Sequence, residues 1–247
     1  MKVALFIPCF IDAFYPEVGI ATLELLERFG CEVDYPQDQT CCGQPMANSG
    51  AQAEAAGAER VFARAFAGYD YIVGPSASCI NHVRDHLSAI EQTEEVQKVR
   101  RNAYELVEFL HDVLGAREFP WAEFPYRVGL HNSCSALRHL NEASVSEIAG
   151  APFSKPLDLL KNVKGIEFVD LKRADECCGF GGTFAVTEEA VSVRMGQDKV
   201  LDHVSAGAEY IVSGDMSCLM HQAGCAERMK ADVRFIHIAQ VLNGARE

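Results

Sequence analysis

Three features of this sequence predict an α/β protein made of two pseudo-symmetric Rossmann-like halves, each built on a parallel sheet. The first is a doubled motif, Thr40-Cys41-Cys42-Gly43 and Glu176-Cys177-Cys178-Gly179. The second is an internal repeat that brings further segments into register around those two points. The third is the alternation of short apolar runs with helical patterns, as expected of parallel strands joined by helices.

The repeat is explicit. Lys2-Val-Ala-Leu-Phe-Ile-Pro-Cys9 matches Arg127-Val-Gly-Leu-His-Asn-Ser-Cys134, and Tyr69-Asp-Tyr-Ile-Val-Gly-Pro-Ser-Ala-Ser-Cys79 matches Ala208-Glu-Tyr-Ile-Val-Ser-Gly-Asp-Met-Ser-Cys218. The tails agree as well, Val107–Gly115 with Phe235–Gly244. The halves are expected at residues 1–117 and 126–247. Between them Glu118-Phe-Pro-Trp-Ala-Glu-Phe-Pro125 reads as a linker, since its two prolines resist helix.

In chain order, Val3–Pro8 reads as a buried strand. Gly19–Phe29 follows as a helix, with Ile20, Leu23, Leu25, Leu26 and Phe29 at helical spacing and Gly30 as its natural stop. Cys31–Pro36 alternates as a second strand and leads into the first cysteine pair. Ala51–Phe66 is alanine-rich and helical, and Tyr69–Val73 is a third strand ending near Cys79. Glu94–Leu114 is expected to form one long helix, with Val99, Ala103, Leu106, Leu110 and Leu114 near one stripe. The second half repeats the pattern with Val128–Leu130, Ser144–Ala149, Ile166–Val169, Thr187–Val204 and Tyr210–Val212.

Composition narrows the function classes. With 49% hydrophobic and 23% charged residues the chain has the balance of a soluble globular protein. A net charge of −13 argues against nucleic acid and anionic membrane as partners. No apolar run is long enough for a membrane span. The amino-terminal segment lacks an Ala-x-Ala site and is interrupted by Pro8 and Asp12, so it reads as a strand rather than a signal peptide. A cytoplasmic protein is expected, where disulfides are scarce and ten cysteines call for another explanation.

That explanation is ligation. Each half carries the order Cys, Cys-Cys-Gly, Ser-Cys, while the spacers between these elements drift. Thiols kept across a repeat whose spacers vary are expected to meet in space. The ligand sets are Cys9, Cys41, Cys42 and Cys79 in the first half, and Cys134, Cys177, Cys178 and Cys218 in the second. All fall at the carboxyl edge of expected strands, where open α/β sheets bind ligands. Burial as a small hydrophobe accounts for Cys31 and Cys225, which stand outside the repeat. An iron–sulfur cluster, most simply 4Fe–4S, fits four thiolates per half. Zinc is the alternative occupant, although its ligand pairs favour wider Cys-x-x-Cys spacing.

The doubled Cys, Cys-Cys-Gly, Ser-x-Ser-Cys pattern resembles the CCG cysteine-rich domain superfamily. That superfamily includes heterodisulfide reductase B and the iron–sulfur subunit of glycolate oxidase. Lys2–Cys9, Cys177-Cys178-Gly-Phe-Gly-Gly-Thr-Phe184 and Ser213-Gly-Asp-Met-Ser-Cys-Leu219 are most similar to the lactate utilisation protein A family, and the likeness covers essentially the whole chain. The resemblance implies an iron–sulfur redox component of a system oxidising L-lactate to pyruvate. It further implies partner subunits that include a second iron–sulfur protein, and it leaves open contact with a small hydroxy acid. Heterodisulfide reductase B has Cys-x-x-Cys at its third element, where this chain has Ser76 and Asp215 in the leading positions. A thiol–disulfide enzyme of that type and a structural zinc module are the rival functions.

Three histidines lie three residues from a ligand candidate: His82 after Cys79, His131 before Cys134 and His221 after Cys218. The repeated pair, His82 and His221, reads either as an imidazole beside each cluster, for proton relay or substrate contact, or as a polar residue in the first turn of a helix. Gly179-Phe180-Gly181-Gly182 falls short of a dinucleotide fingerprint. Arg138, Arg194 and Lys199 are candidate partners for a substrate carboxylate or plain surface charges.

Overall fold

The structure, a computed structural model, describes residues 1–244. The chain divides into two compact units, Met1–Leu114 and Gly115–Glu247. Residues 245–247 of the expected second half lie outside the described residues.

Unit 1 begins with β1 (Lys2–Leu5), α1 (Cys9–Phe14), α2 (Pro16–Arg28), β2 (Glu32–Asp34), α3 (Gln44–Asn48), α4 (Gln52–Ala65) and β3 (Ile72–Gly74). It continues with α5 (Ala77–Asn81), which runs on through a π turn at His82–His86, then α6 (Glu94–Arg101), β4 (Ala103–Glu105) and α7 (Leu106–Glu108) with a π turn at Phe109–Val113. Unit 2 has β5 (Arg127–Leu130), α8 (Cys134–Arg138), α9 (Lys155–Leu160), β6 (Glu167–Phe168), α10 (Phe184–Thr187) and α11 (Glu189–Ser205). After these come β7 (Tyr210–Ser213), α12 (Met216–Met229), β8 (Arg234–His237) and α13 (Ile238–Asn243).

Each unit holds one four-stranded sheet, ordered β2-β1-β3-β4 and β6-β5-β7-β8, with every pairing parallel. The α/β class and the doubled parallel sheet are therefore as the sequence predicts. In both sheets the connections leave the first strand in one direction and the third in the other. The reversal lies between β1 and β3, and again between β5 and β7. At such a switch point the loops beyond the carboxyl ends part and leave a crevice.

Unit 1 packs on an aromatic wedge. Phe6 stands edge-on to Phe62 and Phe66 of the α4 region at 4.9 and 5.7 Å between ring centres, and all three are fully buried. Unit 2 gathers Phe124, Tyr126 and Tyr210, with ring centres 4.9 to 5.0 Å apart. The proline-flanked segment at 118–125 packs closely: Phe119, Ala122 and Phe124 are buried, and Trp121 Nε1 donates to the Leu242 carbonyl at 2.9 Å.

Two local expectations change. The helix expected over Glu94–Leu114 is broken, because α6 ends at Arg101 and Ala103–Glu105 forms the edge strand β4. The exposed edge of β3 offers a ladder that a helix could not use: Ile72 N donates to Asn102 O at 2.8 Å, and Asn102 Nδ2 donates to Tyr69 O at 2.9 Å. Pairing also buries Ala103 and Glu105, so sheet completion overrides the helical stripe. Ser144–Ala149 is not a helix either. Ser144 exchanges backbone and hydroxyl bonds with Phe153 at 2.7 to 3.0 Å, and the helix forms instead as α9, capped by Ser154.

Phe62→Ala empties a fully buried ring site between Phe6 and Phe66. A loss of about 3–5 kcal/mol is expected in urea unfolding followed by circular dichroism; a change under about 1 kcal/mol would refute the wedge as the packing centre of unit 1.

Candidate metal centres

The predicted cysteines of unit 1 come from three directions. Cys9 opens α1 just beyond β1, Cys79 lies in α5 just beyond β3, and Cys41-Cys42 sits in the loop that follows β2. Gln39 fixes that loop against the strand end: its Oε1 accepts from Ile7 N at 2.8 Å, and its Nε2 donates to Leu5 O at 3.1 Å. From the far side of the pair, Gln44 Nε2 donates to Ser78 O at 3.1 Å. The result is a connected set of thiols in which Cys41 bonds with Cys9 and Cys42, and Cys42 with Cys79.

Unit 2 reproduces the set. Cys134 opens α8 beyond β5, Cys218 lies in α12 beyond β7, and Cys177-Cys178 occupies the loop before α10. Cys177 bonds with Cys134 and Cys178, and Cys178 with Cys218. The loop is pinned differently, by the helix behind it. Buried Lys199 donates from Nζ to Arg173 O at 2.5 Å and Ala174 O at 3.4 Å, and the Asp202 carboxylate accepts from Lys172 N and Arg173 N at 3.1 and 3.0 Å.

Crowding splits the thiols of each set electrically. Hydrogen bonds from Cys42 and Cys9, helped by the Gly43 amide at 3.4 Å, pull Cys41 down to about 2. Bonds from Cys134 and Cys178, with the Gly179 amide at 3.3 Å, do the same to Cys177. Their neighbours move up. Cys9 and Cys134 are raised by the hydrogen bond to that thiolate and then by burial. Cys42 and Cys178 are raised by two thiol bonds each and by burial. For Cys218 the Cys178 bond acts downward, but burial and the charges of Asp215 and Cys177 prevail and raise it. A thiolate at Cys41 or Cys177 thus suppresses ionisation of the thiols bonded to it, and ionising those as well requires a cation among them. The donor set, soft sulfurs at close quarters beside backbone N–H groups, fits a zinc ion or an iron–sulfur group.

The glycine of each pair is required by its backbone. Gly43 and Gly179 have φ of 95° and 86°, in the left-handed region. Their surroundings differ. A Cβ on Gly43 would meet Glu59 Cγ at 3.4 Å and His82 Nε2 at 3.5 Å, whereas one on Gly179 would overlap Met195 Cβ at 2.6 Å and Ser192 O at 2.8 Å. Ser192 Oγ further fixes this turn by donating to Gly179 O at 2.7 Å.

The histidines that follow the last cysteines, His82 and His221, each stand close to the turn made by their pair. His82 faces Glu59 at 3.7 Å, and burial, with a smaller push from His86, brings it down to about 4. His221 Nε2 lies 3.1 Å from Ser192 O, and its ring stands 6.0 Å from that of Phe180. His131 is fully buried, and its donor atom lies within 4.8 Å of Cys178 Sγ and Cys218 Sγ, which lie equally close to each other. Behind it stands His203, a residue the sequence did not single out, with ring centres 6.4 Å apart. Burial drives both imidazoles to the neutral form, His131 well down and His203 to about 3, with the Lys199 charge acting in the same direction.

The remaining candidates are engaged elsewhere. Ser76 caps α5 by accepting from Cys79 N at 3.4 Å, and Asp215 accepts from the Ser217 hydroxyl at 2.8 Å. Arg138 pairs with Glu147 at 2.6 Å and Arg194 with Asp198 at 2.9 Å, both partly exposed. Gly181 and Gly182 take φ of 53° and 61° in the turn that enters α10. Cys31 and Cys225 are buried, the latter against Val200 and Ala226.

Comparison with known proteins bears on these sites. The model of the CCG family, described as a cysteine-rich domain, matches residues 3–84 and 128–222. Lactate utilization protein A of Geobacillus thermodenitrificans is 42% identical over 247 residues, covering 98% of this chain and 99% of its own. The protein of that name from Oceanobacillus iheyensis is 40% identical over 252 residues, covering 100% and 98%. That of Bacillus subtilis is 38% identical over 247 residues, covering 98% and 99%. Among solved structures, a hypothetical protein from Helicobacter pylori shares the fold with a TM-score of 0.55 at 10% identity; the match covers 100% of this chain and 49% of that one.

The two pair glycines should respond unequally to substitution. Gly43→Ala carries only the left-handed backbone penalty, about 1–2 kcal/mol, whereas Gly179→Ala adds an overlap that costs about 1–3 kcal/mol more. Urea unfolding of the two variants tests this, and equal losses would contradict it. Acid should also weaken unit 2. His203 is neutral in both folded and unfolded states above pH 6.5, so its contribution is complete there. As the pH falls from 6.5 towards 3, only the unfolded chain takes up the proton and the contribution is lost. The slope approaches about 1.4 kcal/mol per pH unit. Trp121, the single tryptophan, reports this unit's unfolding, and a His203→Leu variant should show a correspondingly shallower decline.

Proposed function

The chain belongs to the CCG cysteine-rich domain family, and within it to the lactate utilization protein A family, and from that membership we propose that it is an iron–sulfur redox component of lactate oxidation. The observation that carries the proposal is the recurrence of a four-thiol set at the switch point of each sheet, in a chain whose ten cysteines are all free. Cys9, Cys41, Cys42 and Cys79 would hold one group, and Cys134, Cys177, Cys178 and Cys218 the other.

When bound, such a group supplies one-electron transfer. The chain's own residues provide the setting. Cys42, Cys79, Cys178 and Cys218 are buried and keep water from the thiolates, while Cys9 and Cys134 are exposed and give each site an open side for an electron partner. The Gly43 and Gly179 amides, aimed at sulfur, offset negative charge there. Oxidising lactate to pyruvate removes two electrons and two protons, and hydride abstraction is ordinarily the work of a flavin or nicotinamide. The proposal therefore assigns this chain to electron transfer beside partner subunits, a second iron–sulfur protein among them, with a small hydroxy acid as a direct ligand only if a partner does not bind it. The proposed setting is the cytoplasm, consistent with free thiols; among the described residues no helix is long and apolar enough to cross a membrane.

Protein purified without oxygen should contain about eight irons with matching sulfide per chain and accept electrons in a lactate-dependent manner when its partner subunits are added. Cys42→Ser and Cys178→Ser should each remove about half of the iron, one thiolate being lost from one four-ligand set. Stoichiometric zinc without sulfide, or full iron retention in both variants, would overturn the proposal.

A further inference from the structure

The two units share a backbone plan but differ at the residue that follows the first strand of each. In the register of the repeat, His131 takes the place of Phe6. Phe6 sits at the end of β1 and packs against Phe62 and Phe66 from the α4 side. His131 sits at the end of β5 and packs against His203 of α11, the helix in the equivalent place. An aromatic hydrocarbon contact in one unit is thus an imidazole pair in the other.

The exchange is accommodated by the backbone. Gly129 occupies the position of Ala4, and a Cβ there would lie 2.1 Å from His203 Nδ1. The missing methyl is the space into which the His203 ring fits. Both rings are essentially inaccessible, at 1% and 0% exposure, and no ring nitrogen of either has a hydrogen-bond partner. A buried neutral imidazole carries one N–H and one lone pair, and leaving both unsatisfied is unusual without an ion or ligand to engage them. The place where such a ligand would sit is marked by sulfur: His131, Cys178 and Cys218 present donor atoms within 4.8 Å of one another, and no such mixed group occurs in unit 1 among the described residues.

We propose that a ring nitrogen of His131 binds the metal group of unit 2 directly, so that unit 2 has a mixed thiolate–imidazole set while unit 1 has thiolates alone. His203 is the positioning residue behind it. The inference rests on the reading that the cysteines hold iron. An imidazole is neutral where a thiolate is anionic, and nitrogen ligation raises the reduction potential of an iron–sulfur centre. The centre of unit 2 is then the one reduced first.

The test uses the full chain purified without oxygen, grown with nitrogen-15 histidine or with ordinary histidine, reduced with dithionite and examined by pulsed EPR. A histidine nitrogen coupling that changes with the label, persists in Cys42→Ser and disappears in His131→Phe is expected. His131→Phe installs the residue found in unit 1. Should that variant not fold, His221→Asn removes the other imidazole near the second cysteine pair, and retention of the coupling there supports His131. A reduced signal from unit 2 with no labelled coupling, or a coupling lost in His221→Asn, overturns the inference and leaves the cluster reading intact. Protein that takes up no iron overturns both.

Discussion

Thiols joined one to the next, Cys41 to Cys9 and Cys42, and Cys177 to Cys134 and Cys178, resist ionising together, and the local architecture of each unit follows from holding them there. Cys41 and Cys177 become thiolates because neighbouring thiols and one glycine amide donate to them, and this same arrangement suppresses ionisation in the residues that donate. Such a cluster gains little from its own contacts: the thiols approach because strands, helices and buried polar anchors oblige them to. The free energy for bringing them together comes from the sheets and cores, and it is recovered only when a cation relieves the repulsion. This is why the loops ahead of the cysteine pairs are so firmly tied.

The ties differ in kind. In unit 1 the side-chain amide of Gln39 acts as a missing strand, satisfying Ile7 N and Leu5 O where β1 runs out of neighbours. In unit 2 a buried ammonium and carboxylate, Lys199 and Asp202, hold the loop backbone from behind. The second solution places two charges in a dry interior, and it is tolerable because nearly every bond they make is to a peptide group that would otherwise be unpaired. It also forbids Lys199 from serving a substrate carboxylate, since its ammonium is fully buried and occupied.

Much of this was legible in the sequence, for identifiable reasons. Parallel strands buried on both faces are nearly continuous apolar runs, so β1, β3, β5 and β7 stood out, and the repeat matched those of one half with those of the other. The cysteine sets were legible because the repeat kept them while its spacers drifted. Ala103–Glu105 was not, because its apolar residues also satisfy a helical stripe, and only the open edge of β3 decides between the two. Gln39 and Asp202 were invisible for a different reason: their partners are backbone groups some thirty residues away, and nothing in a linear pattern marks a side chain that completes a distant main chain. His203 had a trace, the glycine at position 129 inside an otherwise apolar strand, which signals close approach by another group.

Duplication has kept the backbone plan and changed the medium. At the end of the first strand of unit 1 stands Phe6, whose ring packs with those of Phe62 and Phe66 as a hydrocarbon cluster. At the matching strand end of unit 2 stands His131 with His203 behind it, two polarisable rings with dipoles that can turn towards charge. A hydrocarbon cluster disfavours any added negative charge, because nothing in it reorients to meet the field. A pair of imidazoles disfavours it less, since an N–H is available at short range. Two thiol sets on the same backbone plan are thereby given unequal electrical surroundings by a few core residues. Such a difference has to be built into the core, because surface charges around an open thiol site are screened by salt within about 8–10 Å.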